Sequence, residues 1–194
     1  MSNKIIIEGS GRHVHLSREH LEILFGPGYE LEPKKWLSQP GQFASYSKVD
    51  VVGPKGTISG VSVLGPCRKQ TQVEISFTDA RLLGFNNCPV RESGDLAGSC
   101  GCTLVGPKGK VEIEEGVIIA KRHVHLTPED AERIGVKDKE IVQVRVNGER
   151  ALIFDEVICR VSPNYATYMH LDYDEINAAA LFGSQPMGEI IKKS

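Results

Sequence analysis

The string Arg12-His13-Val14-His15-Leu16-Ser17 returns as Arg122-His123-Val124-His125-Leu126-Thr127, with His13 and His123 separated by 110 residues. Alternate residues of a β-strand leave the same face about 6.6 Å apart, so two imidazoles in this pattern can converge on one metal ion about 2 Å from each nitrogen. On a helix the same spacing sends them to nearly opposite sides, and the motif therefore reads as strand. A single His-x-His is often no more than the polar face of a strand. Duplication with matching flanks is different, because packing alone rarely calls for imidazole at both places. It points to two metal ions, or one composite site, in a chain built from duplicated modules.

Each pair needs a further donor. In Thr71-Gln72-Val73-Glu74-Ile75-Ser76-Phe77, a strand would turn Val73, Ile75 and Phe77 to the core and leave Gln72, Glu74 and Ser76 on the other face. In the second half, His170 is the only other histidine. The candidate sets are His13, His15 and Glu74, and His123, His125 and His170. Three protein ligands leave zinc an open position for substrate, as catalytic sites require. His20 reads as a surface or capping residue.

The elements that must position these residues are short. Ile5 to Glu8 is a β-branched run leading through Gly9-Ser10-Gly11 into the first histidine pair. Ser17 reads as the N-cap of a helix that stops at Gly26-Pro27-Gly28, and Thr127, with Pro128 and Glu129-Asp130, caps a second that stops near Gly135. Val49 to Gly53, Thr57 to Leu64 and Gln72 to Phe77 read as strands. Gly-Pro-Lys-Gly turns stand at 53–56 and 106–109. Ile141 to Val146, Asn147-Gly148 and Arg150 to Phe154 form the clearest hairpin, Val157 to Val161 a further strand, and Asp174 to Phe182 a helix ended by Gly183. The expected fold is mainly β with short helices (α+β): two small, closely packed β-barrel domains capped by helices.

Composition excludes several classes of partner. A chain of 194 residues with net charge −2, 40% hydrophobic and 25% charged residues has no basic field for nucleic acid. Cations cluster only locally, at Arg12, Lys34-Lys35, Arg68-Lys69 and Lys121-Arg122. The run Ile5-Ile6-Ile7 is too short for a signal-peptide core, and no stretch approaches a membrane span, so a cytoplasmic protein is expected. Five cysteines are an odd number and are expected as reduced thiols; Cys100-Gly101-Cys102 lacks a second pair at zinc-ribbon spacing.

Together with both histidine motifs, the segments Gly-Pro-Cys-Arg-Lys-Gln-Thr-Gln-Val-Glu-Ile-Ser (65–76), Pro-Val-Arg-Glu-Ser-Gly-Asp-Leu-Ala-Gly-Ser (89–99) and Met-His-Leu-Asp (169–172) carry a resemblance over nearly the whole chain. They resemble the propanediol-utilisation-type phosphate propanoyltransferase family. The resemblance implies interconversion of short-chain acyl-CoA (propionyl-CoA, acetyl-CoA) plus phosphate with acyl phosphate plus CoA. It implies two zinc ions per chain, between two β-barrel domains, in a homodimer. His13, His15 and Glu74 would hold one zinc, His123, His125 and His170 the other, and Arg68 would engage phosphate. Ser10, Lys35, Leu64 and Asn177 match positions near CoA. The first strand would cross into the C-terminal barrel, giving domains of 12–119 and of 1–11 with 120–194. Members of similar sequence inside bacterial microcompartments carry an added N-terminal peptide, whereas eleven residues precede Arg12 here, so encapsulation is not expected.

Zinc as a Lewis acid would suit direct transfer, with Arg68 meeting phosphate through its planar fork. A covalent route through Cys67, beside Arg68, lacks an adjacent histidine base. A binuclear zinc hydrolase is the alternative enzyme, but such sites often place an aspartate where Ser17 and Thr127 stand. A metal-stabilised binding protein without turnover would need closed coordination shells, which three ligands per metal do not give.

Overall fold

Two hydrophobic cores divide the chain. The computed structural model describes residues 3–183 and 185–193. Its N-terminal unit comprises Gly11–Leu37 and Gly41–Ala120; its C-terminal unit takes the chain up to Ser10, which includes β1 (Lys4–Ser10), the segment Ser38–Pro40, and everything from Lys121 on.

The N-terminal unit contains β2 (His13–Ser17), α1 (Arg18–Phe25), β3 (Pro33–Trp36), β4 (Phe43–Val52), β5 (Thr57–Arg68), β6 (Gln72–Glu74), α2 (Phe77–Leu83), β7 (Val90–Arg91), β8 (Cys100–Val105) and β9 (Lys110–Ala120). Pairing runs β4-β5-β2-β6-β9-β8 and returns to β4, so six strands close on themselves, with β3 on β4 and β7 on β9. The strand β9 shows why: Val111 and Ile113 are buried while Glu112 and Glu114 are exposed, the period-two pattern of a barrel wall. Val14, Leu16, Val63, Val73, Leu104 and Val117 fill the interior.

In the C-terminal unit, β1 joins β10 (His123–Leu126), α3 (Pro128–Ile134), β11 (Ile141–Val146), β12 (Leu152–Val161), β13 (Tyr168–Asp172), α4 (Tyr173–Ala179) and β14 (Met187–Lys192). Its strands close in the order β1-β13-β10-β12-β11-β14, around Ile5, Ile7, Val124, Leu126, Val144 and Met169. The histidine strand has the same neighbours in both units. β2 lies parallel to β5 and antiparallel to β6; β10 lies parallel to β12 and antiparallel to β13. The expected pair of barrels with short capping helices is the observed fold. No helix among the described residues is long and apolar enough to cross a membrane.

The strand expected over Gln72 to Phe77 stops at Glu74. Ser76 caps α2 in a capping box with Asp79, so Phe77 opens a helix and is 57% exposed rather than facing the core. Gln72, Glu74 and Ser76 are buried along with Val73 and Ile75. Likewise Val157 to Val161 is no separate strand but the continuation of β12 beyond Glu156, whose φ of 55° kinks it. The last helix is shorter than expected, ending at Ala179 with Ala180 in the left-handed region.

The two Gly-Pro-Lys-Gly turns satisfy helix C-termini. Lys55 N–H donates to Leu83 O and Lys108 N–H to Leu24 O, both at 3.0 Å, closing carbonyls that a helix end leaves open. A Cβ on Gly53 would lie 2.5 Å from Leu83 O, and one on Gly106 2.5 Å from Leu24 O. Gly53→Ala and Gly106→Ala are each expected to cost about 1–3 kcal/mol, read as a lower urea midpoint at unchanged m-value; an unchanged midpoint would show that the turns yield freely.

Candidate metal centres

Register brings each third donor to its histidine pair. His13 is the Cα partner of Glu74 across β2 and β6, and His123 is the partner of His170 across β10 and β13. In each of the groups His13/His15/Glu74 and His123/His125/His170, one ligand atom per residue lies within 4.8 Å of the others. Both groups are those expected from the sequence. Among the described residues no other group of three or more such side chains comes together, and neither group includes a cysteine. The donors alternate with Val14, Leu16, Val124 and Leu126, all fully buried, so the apolar half of each strand anchors the polar half.

The imidazoles are oriented by what they donate to. His13 Nδ1 lies 2.8 Å from Gly11 O and His123 Nδ1 2.9 Å from Lys121 O. A carbonyl only accepts, so in both copies Nδ1 carries the proton and Nε2 is the nitrogen that could ligate a cation. His170 is arranged the other way. Its Nε2 sits 3.1 Å from Glu8 Oε2, which also accepts from Ser38 Oγ, leaving Nδ1. The Nδ1 atoms of His15, His125 and His170 are buried without a hydrogen-bond partner. Orphaned buried nitrogens are costly, and a cation is what would satisfy them.

Charge supports the same fit. Burial, with His13 and Arg68 nearby, drives His15 well below the ordinary imidazole value. Burial, with His123 and His170, takes His125 down to about 2. Both stay neutral, as ligation demands. Burial also pulls on His13, but the Glu74 carboxylate 3.5 Å away outweighs it and the net shift is upward. Glu74 resists its own burial through His13, His15 and Arg68, and lies below the usual carboxylate range. A divalent cation in this group would compete with a proton for the His13 ring nitrogen that faces Glu74. Imidazole and carboxylate donors, three to a group, fit zinc with a position left open.

Arg68, at the end of β5, is tied to the first group through a residue the sequence did not single out. Its Nη1 donates to Ser93 Oγ at 3.0 Å, and Ser93 Oγ donates to Glu74 Oε1 at 2.9 Å. Gln72 Nε2 reaches both Ser93 Oγ, at 2.9 Å, and Glu74 Oε1, while Gly94 N–H holds Gln72 Oε1 at 2.8 Å. Gln72 was legible as a face-mate of Glu74. Ser93 sits in an irregular loop, where no periodicity marks it.

Burial, above all, raises the Cys67 thiol, and the cation that lowers it is Arg18 rather than Arg68, so the covalent route loses its activating neighbour. His20 occupies the third position of α1, its Nδ1 2.8 Å from Thr71 Oγ1, which accepts from Ser17 N–H at 2.9 Å. Of the four residues matched to CoA, Lys35 is exposed on β3 and Leu64 is the register partner of His15 on β5. Ser10 ends β1, opposite Asp172, and Asn177 lines a cavity with Glu8, Gly9, Tyr173, Ile176 and Phe182.

The family model of phosphate propanoyltransferase matches residues 6–182. The chain is 56% identical over 188 residues to the phosphate propanoyltransferase of Listeria monocytogenes, which covers 97% of this chain and 87% of that one. It is 60% identical over 178 residues to that of Thermotoga maritima, covering 91% and 84%. With that of Clostridioides difficile it shares 52% over 190 residues, covering 98% and 90%.

Protonation gives a test independent of turnover. His15 and His125 bind protons in the unfolded chain, below pH about 6.5, more readily than in the folded one. Their contribution is therefore lost as pH falls through that value toward the depressed folded ones. His13 acts oppositely, stabilising below the unfolded value and fading as pH rises through its raised folded value. Two groups outweigh one, so metal-depleted protein is expected to show a lower urea midpoint at pH 5 than at pH 7.5, with a shallower fall in His15→Asn/His125→Asn; a midpoint that rises toward pH 5 would contradict the assignment.

Proposed function

The chain belongs to the phosphate propanoyltransferase family, and from that premise we propose that it is a zinc-dependent phosphate acyltransferase. It transfers a short acyl group, propionyl or acetyl, between CoA and inorganic phosphate. The observation that carries this reading is the pair of three-donor groups, each built by a repeated His-x-His strand and its antiparallel neighbour, within the stretch that matches the family.

We assign one zinc ion to His13, His15 and Glu74 and a second to His123, His125 and His170. When bound, zinc supplies Lewis acidity for the thioester carbonyl, the phosphate or the departing thiolate. The chain's own residues do the rest. Arg68 binds phosphate, its planar fork matching two oxygens and offsetting the repulsion that two anionic substrates feel on approach. Ser93 and Glu74 keep that guanidinium in place. A phosphate oxygen attacks the thioester carbon, and the tetrahedral adduct collapses with cleavage of the C–S bond. CoA leaves as thiolate and the acyl group remains on phosphate. Neutral His15 and His125 offer lone pairs rather than protons. Ser10, Lys35, Leu64 and Asn177 are assigned to CoA, and the assembly is assigned as a homodimer.

The expected outcome is release of free thiol from propionyl-CoA that requires phosphate, yields an acyl phosphate trappable by hydroxylamine, and stops on treatment with a chelator. Zinc content should be two per chain, falling to one in His15→Ala and in His125→Ala. Arg68→Ala is expected to raise the phosphate KM and to lower kcat. Thiol release without phosphate would mean a thioesterase, and unchanged kinetics of Arg68→Ala would remove that residue from the mechanism.

A further inference from the structure

The arginines that open the two histidine motifs are each committed to a carboxylate. Arg12 Nη2 lies 2.7 Å from Asp79 Oδ1, a close charge contact without hydrogen-bond alignment, and Arg122 Nε lies 2.6 Å from Glu175 Oε1. Asp79 and Glu175 hold the same place in their units. Each is the third residue of a helix whose N-cap, Ser76 or Asp172, follows the third metal donor, Glu74 or His170, by two residues. The second oxygen of each carboxylate accepts the N-cap backbone N–H, from Ser76 at 3.3 Å and from Asp172 at 3.1 Å. One side chain thus ties the strand of the third donor to the strand of the histidine pair, at the residue immediately before His13 or His123.

We propose that Arg12–Asp79 and Arg122–Glu175 are positioning pairs that fix the third donor of each set against its histidines. This rests on reading the two sets as zinc sites. The ladders show why such a device is needed. β2 pairs with β6 through three residues, and β10 with β13 through three. In both, the pair that must stay in register for metal binding, His13 with Glu74 or His123 with His170, is the terminal one of that ladder, and β5 and β9 or β12 and β1 hold only the outer edges of the two strands, not the register between them. The arginine is the next residue beyond that end on one strand, and the N-cap lies just beyond it on the other. The ion pair closes the open end.

The copies reach this connection with different parts, which argues for the connection rather than for a relic of duplication. The donor is Glu74 in one and His170 in the other, the cap Ser76 or Asp172, the acid Asp79 or Glu175. The shorter aspartate meets the terminal Nη2, and the longer glutamate reaches back to Nε. Asp79 is almost wholly buried, its side chain 3% exposed, and an unpaired charge there would be strongly unfavourable. Arg122 is further held by Asp155 O at 3.0 Å and by the Phe154 ring.

Asp79→Asn and Glu175→Gln test this in the full chain, because each keeps volume and an oxygen for the cap N–H while losing the charge that holds the arginine. The readouts are zinc affinity, by competition with a chromophoric chelator, and the visible absorption of the cobalt(II)-loaded protein. Asp79→Asn is expected to weaken one of two zinc-binding steps about 10–100-fold and to alter the cobalt bands, with Glu175→Gln weakening the other step. Arg12→Ala, which leaves the buried Asp79 charge unpaired, should weaken the same step at least as much as Asp79→Asn, adding Asp79→Asn to it should deepen the loss no further, and Arg12→Lys should recover part of it. Thermal midpoints of the metal-free variants run alongside: a lower midpoint with unchanged zinc affinity would make the pairs purely structural and overturn the proposal. If the unmodified chain binds no zinc, the metal reading falls and the proposal with it; if it binds two and both variants bind as tightly, the proposal alone falls.

Discussion

Where four strands stop determines everything in the two centres. Each stops on a helix N-cap placed two residues after a donor: Ser17 after His15, Ser76 after Glu74, Thr127 after His125 and Asp172 after His170. The cap side chain takes the N–H of the third helical residue, so the chain turns out of the sheet there and cannot continue it. A donor so close to a strand end sits at the barrel's rim, with Val14, Leu16, Val124 and Leu126 packed below it. The backbone N–H of the first cap in each unit is answered by a threonine hydroxyl, Ser17 by Thr71 and Thr127 by Thr167. Thr71 in turn meets His20, and Thr167 meets Asp130, residues at matching helical positions.

Burial at that rim is what makes the donors usable. An imidazole in water near neutral pH is divided between protonated and neutral forms, and only the neutral form ligates. Desolvation settles the division for His15 and His125 without a hydrogen bond to either Nδ1. The cost is a set of nitrogens that destabilise the fold as they stand, so a cation that satisfied them would add to stability. The anionic member of the first group is controlled differently. Glu74 stays ionised because His13, His15 and Arg68 surround it, and Ser93 and Gln72 supply it with donors.

Much of this could be read from residues whose partners are near in sequence. The His-x-His period, the Ser17 and Thr127 caps, Pro128, and the glycines that stop α1 and α3 are local signals, and the structure follows them. Glu74 was reachable through the apolar alternation of Val73 and Ile75, and His170 as the only other histidine of its half. The capping box Ser76-Phe77-Thr78-Asp79 was equally local, yet the apolar period of Val73 and Ile75 carries on formally to Phe77 and masks it. Other residues were beyond local reading. Arg12 and Arg122 look like cations awaiting an anionic ligand until the fold brings Asp79 and Glu175 to them, and Ser93 gains its meaning only from Arg68, 25 residues earlier. Long-range polar pairs leave no period in a sequence.

The duplicated centres are alike in construction and unlike in charge, and that difference bears on the proposed reaction. A dication among His13, His15 and Glu74 keeps one net positive charge; among His123, His125 and His170 it keeps two. Arg68 stands beside the first group, linked through Ser93 to the carboxylate that lowered its charge. Glu8 places a carboxylate at the far nitrogen of His170 in the second. Each centre is thereby offset by its surroundings. In the proposed reaction, a phosphate at the first group would meet the flat guanidinium that its oxygens match.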